Sequence, residues 1–171
     1  NTGLDLNGFQ LNVQQYVTLI SSQNNRTVSL TTGGGVLSLE NLNLQTGSSG
    51  NTGSATFNLN ANGILNVSGT ITSSGAGNVF NIGNPSLINY TGGNQNIFTG
   101  LTYRNLTFSG TGTKTASAAF TANGTTTVAA GVTFAQGGGT FTSGGTVNVN
   151  GSFQLNQGGF ATGGTWNYGT T

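Results

Sequence analysis

The sequence predicts an all-β chain: a single right-handed parallel β-solenoid, or β-helix, spanning 1–171, with about 20 residues per coil and roughly eight or nine coils. Three observations lead there. Helix formers are scarce, short apolar alternations recur throughout, and they recur too closely for hairpins. Lys and Met supply one residue and none, and Gly supplies 31, so helix interiors carry a repeated entropic cost.

The strands follow in order from the alternation. Leu4-Leu6, Phe9-Leu11-Val13, Val28-Leu30, Leu37-Leu39, Leu42-Leu44, Phe57-Leu59 and Leu65-Val67 all repeat with period two. Phe80-Ile82, Leu106-Phe108, Val147-Val149, Phe153-Leu155 and Trp166-Tyr168 continue the pattern. Each pair sets two apolar side chains on one strand face, with a small polar residue pointing outward between them.

The spacing decides the architecture. In the C-terminal third the leading apolar residues are Phe120, Val128, Phe134, Phe141, Val147, Phe153, Phe160 and Trp166. After a first step of eight they recur every six or seven positions. Such short connections suit strand-corner-strand winding, whereas turn signals in a sandwich recur every 8–12 residues or so. Three strands per turn then give the coil length stated above. Asn-Gly pairs at 7–8, 62–63, 123–124 and 150–151 are read as corners needing positive φ, with two-residue hairpin turns as the alternative. The middle is less regular. Loops are expected at Ser73–Asn78 and Gly92–Asn96, a turn at Asn84-Pro85, and a lateral loop at Thr46–Ser54.

Composition bounds what such a chain does. With 24 Asn, 29 Thr, 15 Ser and 31 Gly, four residue types make 99 of 171 positions. A flexible linker shares that bias. However, Leu, Ile, Val and Phe together make about a quarter of the chain, more than disordered chains usually carry, and the net charge is only +1. The charged residues are Asp5, Glu40, Arg26, Arg104 and Lys114. That is too little basic charge for nucleic acid or an anionic membrane, and no apolar run is long enough for a transmembrane helix. The chain opens Asn1-Thr2-Gly3 without a visible signal peptide, the start expected of a processed protein or of a piece of a longer one.

Two stretches carry a resemblance. Leu4-Asp5-Leu6-Asn7-Gly8-Phe9-Gln10-Leu11-Asn12-Val13 resembles the opening strands of β-helix passengers and repetitive surface proteins of Gram-negative bacteria. Thr102-Tyr103-Arg104-Asn105-Leu106-Thr107-Phe108-Ser109-Gly110-Thr111-Gly112-Thr113-Lys114-Thr115 is similar to a repeat of large secreted Bacteroidota surface proteins. From Ala116 onward the texture resembles filamentous-haemagglutinin-type adhesins, although no secretion-domain motif is recognisable. The resemblance implies a secreted β-helix for adhesion, matrix or fibre building, and it carries over no catalytic residues.

The residues themselves offer little chemistry. His and Cys are absent, which removes the commonest general base, the thiolate nucleophile and the usual soft metal ligands. Asp5 and Glu40 are the only side-chain carboxylates and read as unrelated surface acids, too few for a calcium site or a lyase cluster. Gly33-Gly34-Gly35 and Gly137-Gly138-Gly139 lack the Lys-Ser/Thr of a phosphate loop and read as corners. Asn-x-Ser/Thr triplets at Asn25, Asn66, Asn89, Asn105, Asn123 and Asn150 are the background of this composition. No catalytic, cofactor-binding or metal-binding residue is expected.

What remains is surface. Stacked coils align Thr and Asn in ladders, and Tyr90, Tyr103, Trp166 and Tyr168 are either outward rings for stacking on sugars or core and end packing. Neither Asn1–Leu11 nor Phe160–Thr171 reads as a charged or helical cap, so the ends are expected to continue into further coils or to join a second subunit by β-strand addition. The leading expectation is an extracellular, cell-surface structural or adhesive filament subunit, without enzymatic activity, with surface glycans as a candidate contact. The alternatives are ice binding through Thr70-Ile71-Thr72, Thr125-Thr126-Thr127 and Thr140-Phe141-Thr142, whose spacing does not match one coil, and a carbohydrate-active enzyme.

Overall fold

The computed structural model describes residues 2–47 and 52–169. No helix occurs among them. The strands pair in parallel, and coils of about 23 residues stack into a β-solenoid of about seven turns. The coils are thus longer and fewer than the C-terminal spacing alone implied. The residues gather into two compact units, Asn1–Leu65 with Ile71–Ser86, and Asn66–Thr70 with Leu87–Thr171.

The strands of the first region are β1 (Thr2–Asp5), β2 (Leu11–Ser21), β3 (Thr27–Thr31), β4 (Val36–Thr46), β5 (Ser54–Leu59), β6 (Ile64–Val67), β7 (Ile71–Ser74) and β8 (Val79–Ile82). One wall is the sheet β1-β3-β5-β8. Its inward column runs Leu4, Leu30, Phe57, Phe80, each the register partner of the next.

The other two walls share strands. In β4 the buried positions step from Leu37 and Leu39 to Leu42 and Leu44, leaving Glu40 exposed where period two breaks. The pairing of β2 with β4 shifts register at the same level, between Val13 and Tyr16. Gln14 and Gln15 of β2 stand opposite Glu40 alone, so β2 carries a β-bulge there, which bends a strand without ending it. A continuous 11-residue strand therefore lines two walls, and β6 and β7 then divide the positions beside β4. Such coils are long, as the pairing of Leu42 with Ile71 shows.

The second region contains β9 (Leu87–Tyr90), β10 (Gln95–Asn96), β11 (Thr102–Tyr103), β12 (Asn105–Phe108), β13 (Gly112–Ala116), β14 (Phe120–Ala122) and β15 (Thr126–Val128). It continues with β16 (Val132–Gln136), β17 (Thr140–Ser143), β18 (Val147–Val149), β19 (Ser152–Leu155), β20 (Gly159–Thr162) and β21 (Trp166–Tyr168). Three walls are regular here: β9-β12-β15-β18-β21, β10-β13-β16-β19 and β11-β14-β17-β20. The expected series behaves as read, because every third member returns to one wall. Phe120 faces Phe141 and Phe141 faces Phe160. Phe134 faces Phe153, and Val147 faces Trp166.

The corners use glycine for two reasons. At Asn7-Gly8 both residues are left-handed, with φ of 47° and 83°, as the Asn-Gly reading expects. At Asn150-Gly151 the need is space instead: a Cβ on Gly151 would run into the carbonyl oxygens of Ala129 and Val132. Two expected loops are shorter than read. Ser73 and Ser74 belong to β7, and Gln95–Asn96 form β10, because their backbones still find a parallel neighbour. The Asn84-Pro85 peptide is cis. Of the lateral loop at 46–54, residues 48–51 lie outside the described residues.

Candidate functional site

The two acids lie on strands of different sheets. Asp5 ends β1, exposed, and its carboxylate accepts the Asn7 N–H at 2.9 Å. Glu40 is exposed on β4, opposite the bulge of β2. Arg26 is exposed and Arg104 half-buried. Among the described residues there is no group of three or more His, Cys, Asp or Glu. Gly33 and Gly34 turn the chain between β3 and β4 with φ of 58° and 86°, and Gly139 turns it before β17 with φ of 64°, the corner role read for both glycine runs.

Lys114 is where the structure departs most from the sequence reading. The only lysine of the chain, counted there merely among too few basic charges, is a fully buried residue of β13. Its Nζ donates to Gly92 O at 2.5 Å, Gly93 O at 2.6 Å, Gln95 Oε1 at 2.9 Å and Thr111 O at 3.1 Å. Gln95, its register partner on β10, is equally occupied. Its Oε1 also accepts the Gly92 N–H at 2.7 Å, and its Nε2 donates to Val67 O and Gly69 O at 3.1 and 2.9 Å. Three successive coils are thereby tied at one corner. Burial pulls the Lys114 pKa below the usual lysine value. A signal for this placement existed. Lys114 stands six positions before Phe120 and six after Phe108, so the apolar spacing marks position 114 as inward.

Tyr90 and Tyr103 are core residues, both fully buried in the second unit. Their hydroxyls lie 2.8 Å apart. Tyr103 donates to Phe98 O at 2.5 Å and the Phe98 N–H donates to Tyr90 at 3.1 Å, so Tyr90 is the donor to Tyr103 and the ring of bonds closes. Burial pushes Tyr90 up to about 12, against the opposing pull of its Tyr103 and Phe98 hydrogen bonds. Burial, then the proximity of Tyr90, pushes Tyr103 well above 10. Two polar atoms are less well served: Thr126 Oγ1 and Gln136 Oε1 are buried with no hydrogen-bond partner.

The other two rings lie on the last described coil. Trp166 packs edge-on against Phe153 and Phe160, and Tyr168 is 64% exposed. With Leu155 half-exposed, this coil presents inward positions that continue the columns of Gln136, Val147 and Val149. β19, β20 and β21 each have one strand neighbour. The first coil is similarly open. β1 and β2 pair only with β3 and β4, and Leu4 is 55% exposed although Leu30 opposite is buried.

Outward positions form the expected ladders. In the first unit, Asn81 Nδ2 donates to Asn58 Oδ1 at 2.7 Å and Asn58 Nδ2 to Thr31 Oγ1 at 3.0 Å. In the second, Asn167 Nδ2 donates to Asn148 Oδ1 at 2.9 Å, and Thr102, Thr121 and Thr142 stand in one column. The two threonine triplets of the second unit lie on different walls. Thr125-Thr126-Thr127 belongs to the wall of β15 and Thr140-Phe141-Thr142 to that of β17, while Ile71 begins β7 of the first unit. No family model, curated protein or solved structure matches the chain.

Proposed function

We propose that the chain is a non-enzymatic structural or adhesive β-solenoid of the cell exterior, extended at an open coil face by further β-coils, those of a longer parent chain or of a second copy. The observation that carries this reading is the state of the first and last described coils. Both hold apolar inward residues half-exposed on strands with a single neighbour. Unpaired edges of parallel strands over an apolar column attract a further strand, because both backbone bonds and burial are gained together. The near-absence of charge fits a packed wall or fibre, since little repulsion opposes close stacking. The likeness of 4–13 and 102–115 to secreted bacterial β-helix proteins supports the same reading, and with it a Gram-negative, extracellular setting.

Electron microscopy and sedimentation at micromolar concentration test it. Concentration-dependent end-to-end particles are expected, reduced to single particles by Leu155→Lys with Tyr168→Lys. Compact monomers at every concentration, together with a parent chain that adds no further coils, overturn it.

A second reading, adsorption to ice, rests on the coil-registered column Thr102, Thr121, Thr142. Thermal hysteresis at millimolar protein decides that reading, and its absence removes it.

A further inference from the structure

The corner around Lys114 has the form of a cation site. Three backbone carbonyls and one amide oxygen converge on a single nitrogen at 2.5 to 3.1 Å, and no carboxylate is among them. A buried ammonium must find acceptors for its N–H donors, most often with a carboxylate among them; here all four are neutral oxygens. Gly92, Gly93 and Thr111 lie in connections between strands, and Gln95 begins β10 as the register partner of Lys114. Backbone carbonyls facing one another there repel unless something positive sits between them.

We propose that the oxygens of Gly92, Gly93, Gln95 and Thr111 form a monovalent-cation cage whose resident cation is the tethered ammonium of Lys114. The ligand class that this cage accepts is an ammonium or a primary alkylammonium ion. Hydrogen bonds from N–H to carbonyl oxygen select it over cations that carry no N–H. The lysine thus does what a bound ion does in other loops. It holds the irregular segment 92–95 in place and fixes Gln95, which in turn bonds Val67 O and Gly69 O one coil away. Access is short, because Asn94 and Gly112 beside the cage are exposed. The proposal does not depend on the assembly reading above, since every group in it belongs to one chain.

The test is chemical rescue. Lys114→Ala empties the cage, and Lys114→Met fills the stem volume without the charge. Both variants are expected to lose about 5 °C or more in Tm relative to the unaltered chain. Butylammonium chloride is expected to restore at least about half of the loss in Lys114→Ala, with no effect on the unaltered chain. Tetramethylammonium chloride, which has no N–H, is the control and restores nothing. Lys114→Met as stable as the unaltered chain, or equal rescue by tetramethylammonium, overturns the proposal. Should both variants fail to fold, the unaltered chain still decides. A Lys114 ammonium proton exchanging roughly 100-fold more slowly than that of free lysine supports the cage, and exchange at the free rate refutes it.

Discussion

In the first unit the coils are long, pairing Leu30 with Phe57 and Leu42 with Ile71. Their interior is built largely of leucine: Leu30, Leu37, Leu39, Leu42, Leu44, Leu59 and Leu65. In the second unit the coils are shorter, pairing Leu106 with Ile88 and Phe141 with Phe160, and the interior is built on rings. Phe120 stacks on Phe141 with centroids 4.7 Å apart, and Phe108 on Phe134 at the same distance. For Phe120 and Phe141, register partners on one wall, that distance is the spacing of neighbouring strands, whereas Phe108 and Phe134 reach each other from different walls. On the wall of β14 and β17 the ring sits beside a small inward residue, Ala122 beside Phe120 and Ser143 beside Phe141, which leaves room for rings arriving from the other walls. Coil length and core chemistry therefore change together. A long coil with bent strands is filled by branched aliphatic side chains, and a short one by flat side chains in register.

The largest expected effect comes from breaking the stack. Phe141 meets Phe120, Phe134, Phe153 and Phe160, and Phe141→Ala is expected to cost about 3–5 kcal/mol, read from denaturant unfolding. Hydrogen exchange should locate the loss in the second unit. Phe141→Leu sharpens the contrast: it should cost more than Phe57→Leu, because Phe57 has only the edge contact with Phe80 at 6.4 Å among the ring contacts described. Equal costs would mean that volume, rather than ring stacking, holds the narrow coils.

Alkaline pH comes next. Tyr90 is raised to about 12 in the fold against about 10 unfolded. A raised folded value means that the unfolded chain loses its proton first. The contribution is complete below pH 10 and lost as pH rises toward 12, by up to about 3 kcal/mol. Tyr103, raised in the same direction, adds to the slope. Tm measured from pH 8 to 12 should fall steeply above 10, and Tyr90→Phe with Tyr103→Phe should flatten that fall. An unchanged slope in the double variant would place the alkaline weakness elsewhere.

The buried polar groups of the two units differ as well. In the first, Ser21 Oγ donates to Arg26 O at 2.8 Å and Thr32 Oγ1 accepts the Asn60 N–H at 3.2 Å. In the second, Thr126 Oγ1 has no partner and lies between Leu106 and Val147. Thr126→Val keeps the shape and removes the orphan, so a gain of about 1 kcal/mol and a Tm rise of about 2–4 °C are expected. A loss would reveal a bond to that hydroxyl. The smallest effect is on the outer ladder of the first unit, where Asn58→Ala removes bonds to Thr31 and Asn81. A loss of at most about 1 kcal/mol is expected in denaturant unfolding. No change would show that water replaces the ladder fully.

Strand identity and the three-walled winding of the second unit were legible in the residues, because both depend on short-range pattern. Period two sets which side chains face inward, and a spacing of six to seven sets how often the chain turns a corner. The same pattern marked position 114 as inward, yet the residue type argued for the surface, since an ammonium is buried only where distant carbonyls converge. Two of those carbonyls, of Gly92 and Gly93, belong to another coil. The longer coils of the first unit were likewise decided in three dimensions. Glu40 and Asn41 read as an ordinary break between two strands, and only the pairing with β2, which carries the extra residue, shows them inside one strand. Local alternation acts within a strand and is written along the chain. Which oxygens meet which nitrogen, and which coil a break is paired against, are settled by contacts between coils, where residues far apart in sequence become neighbours.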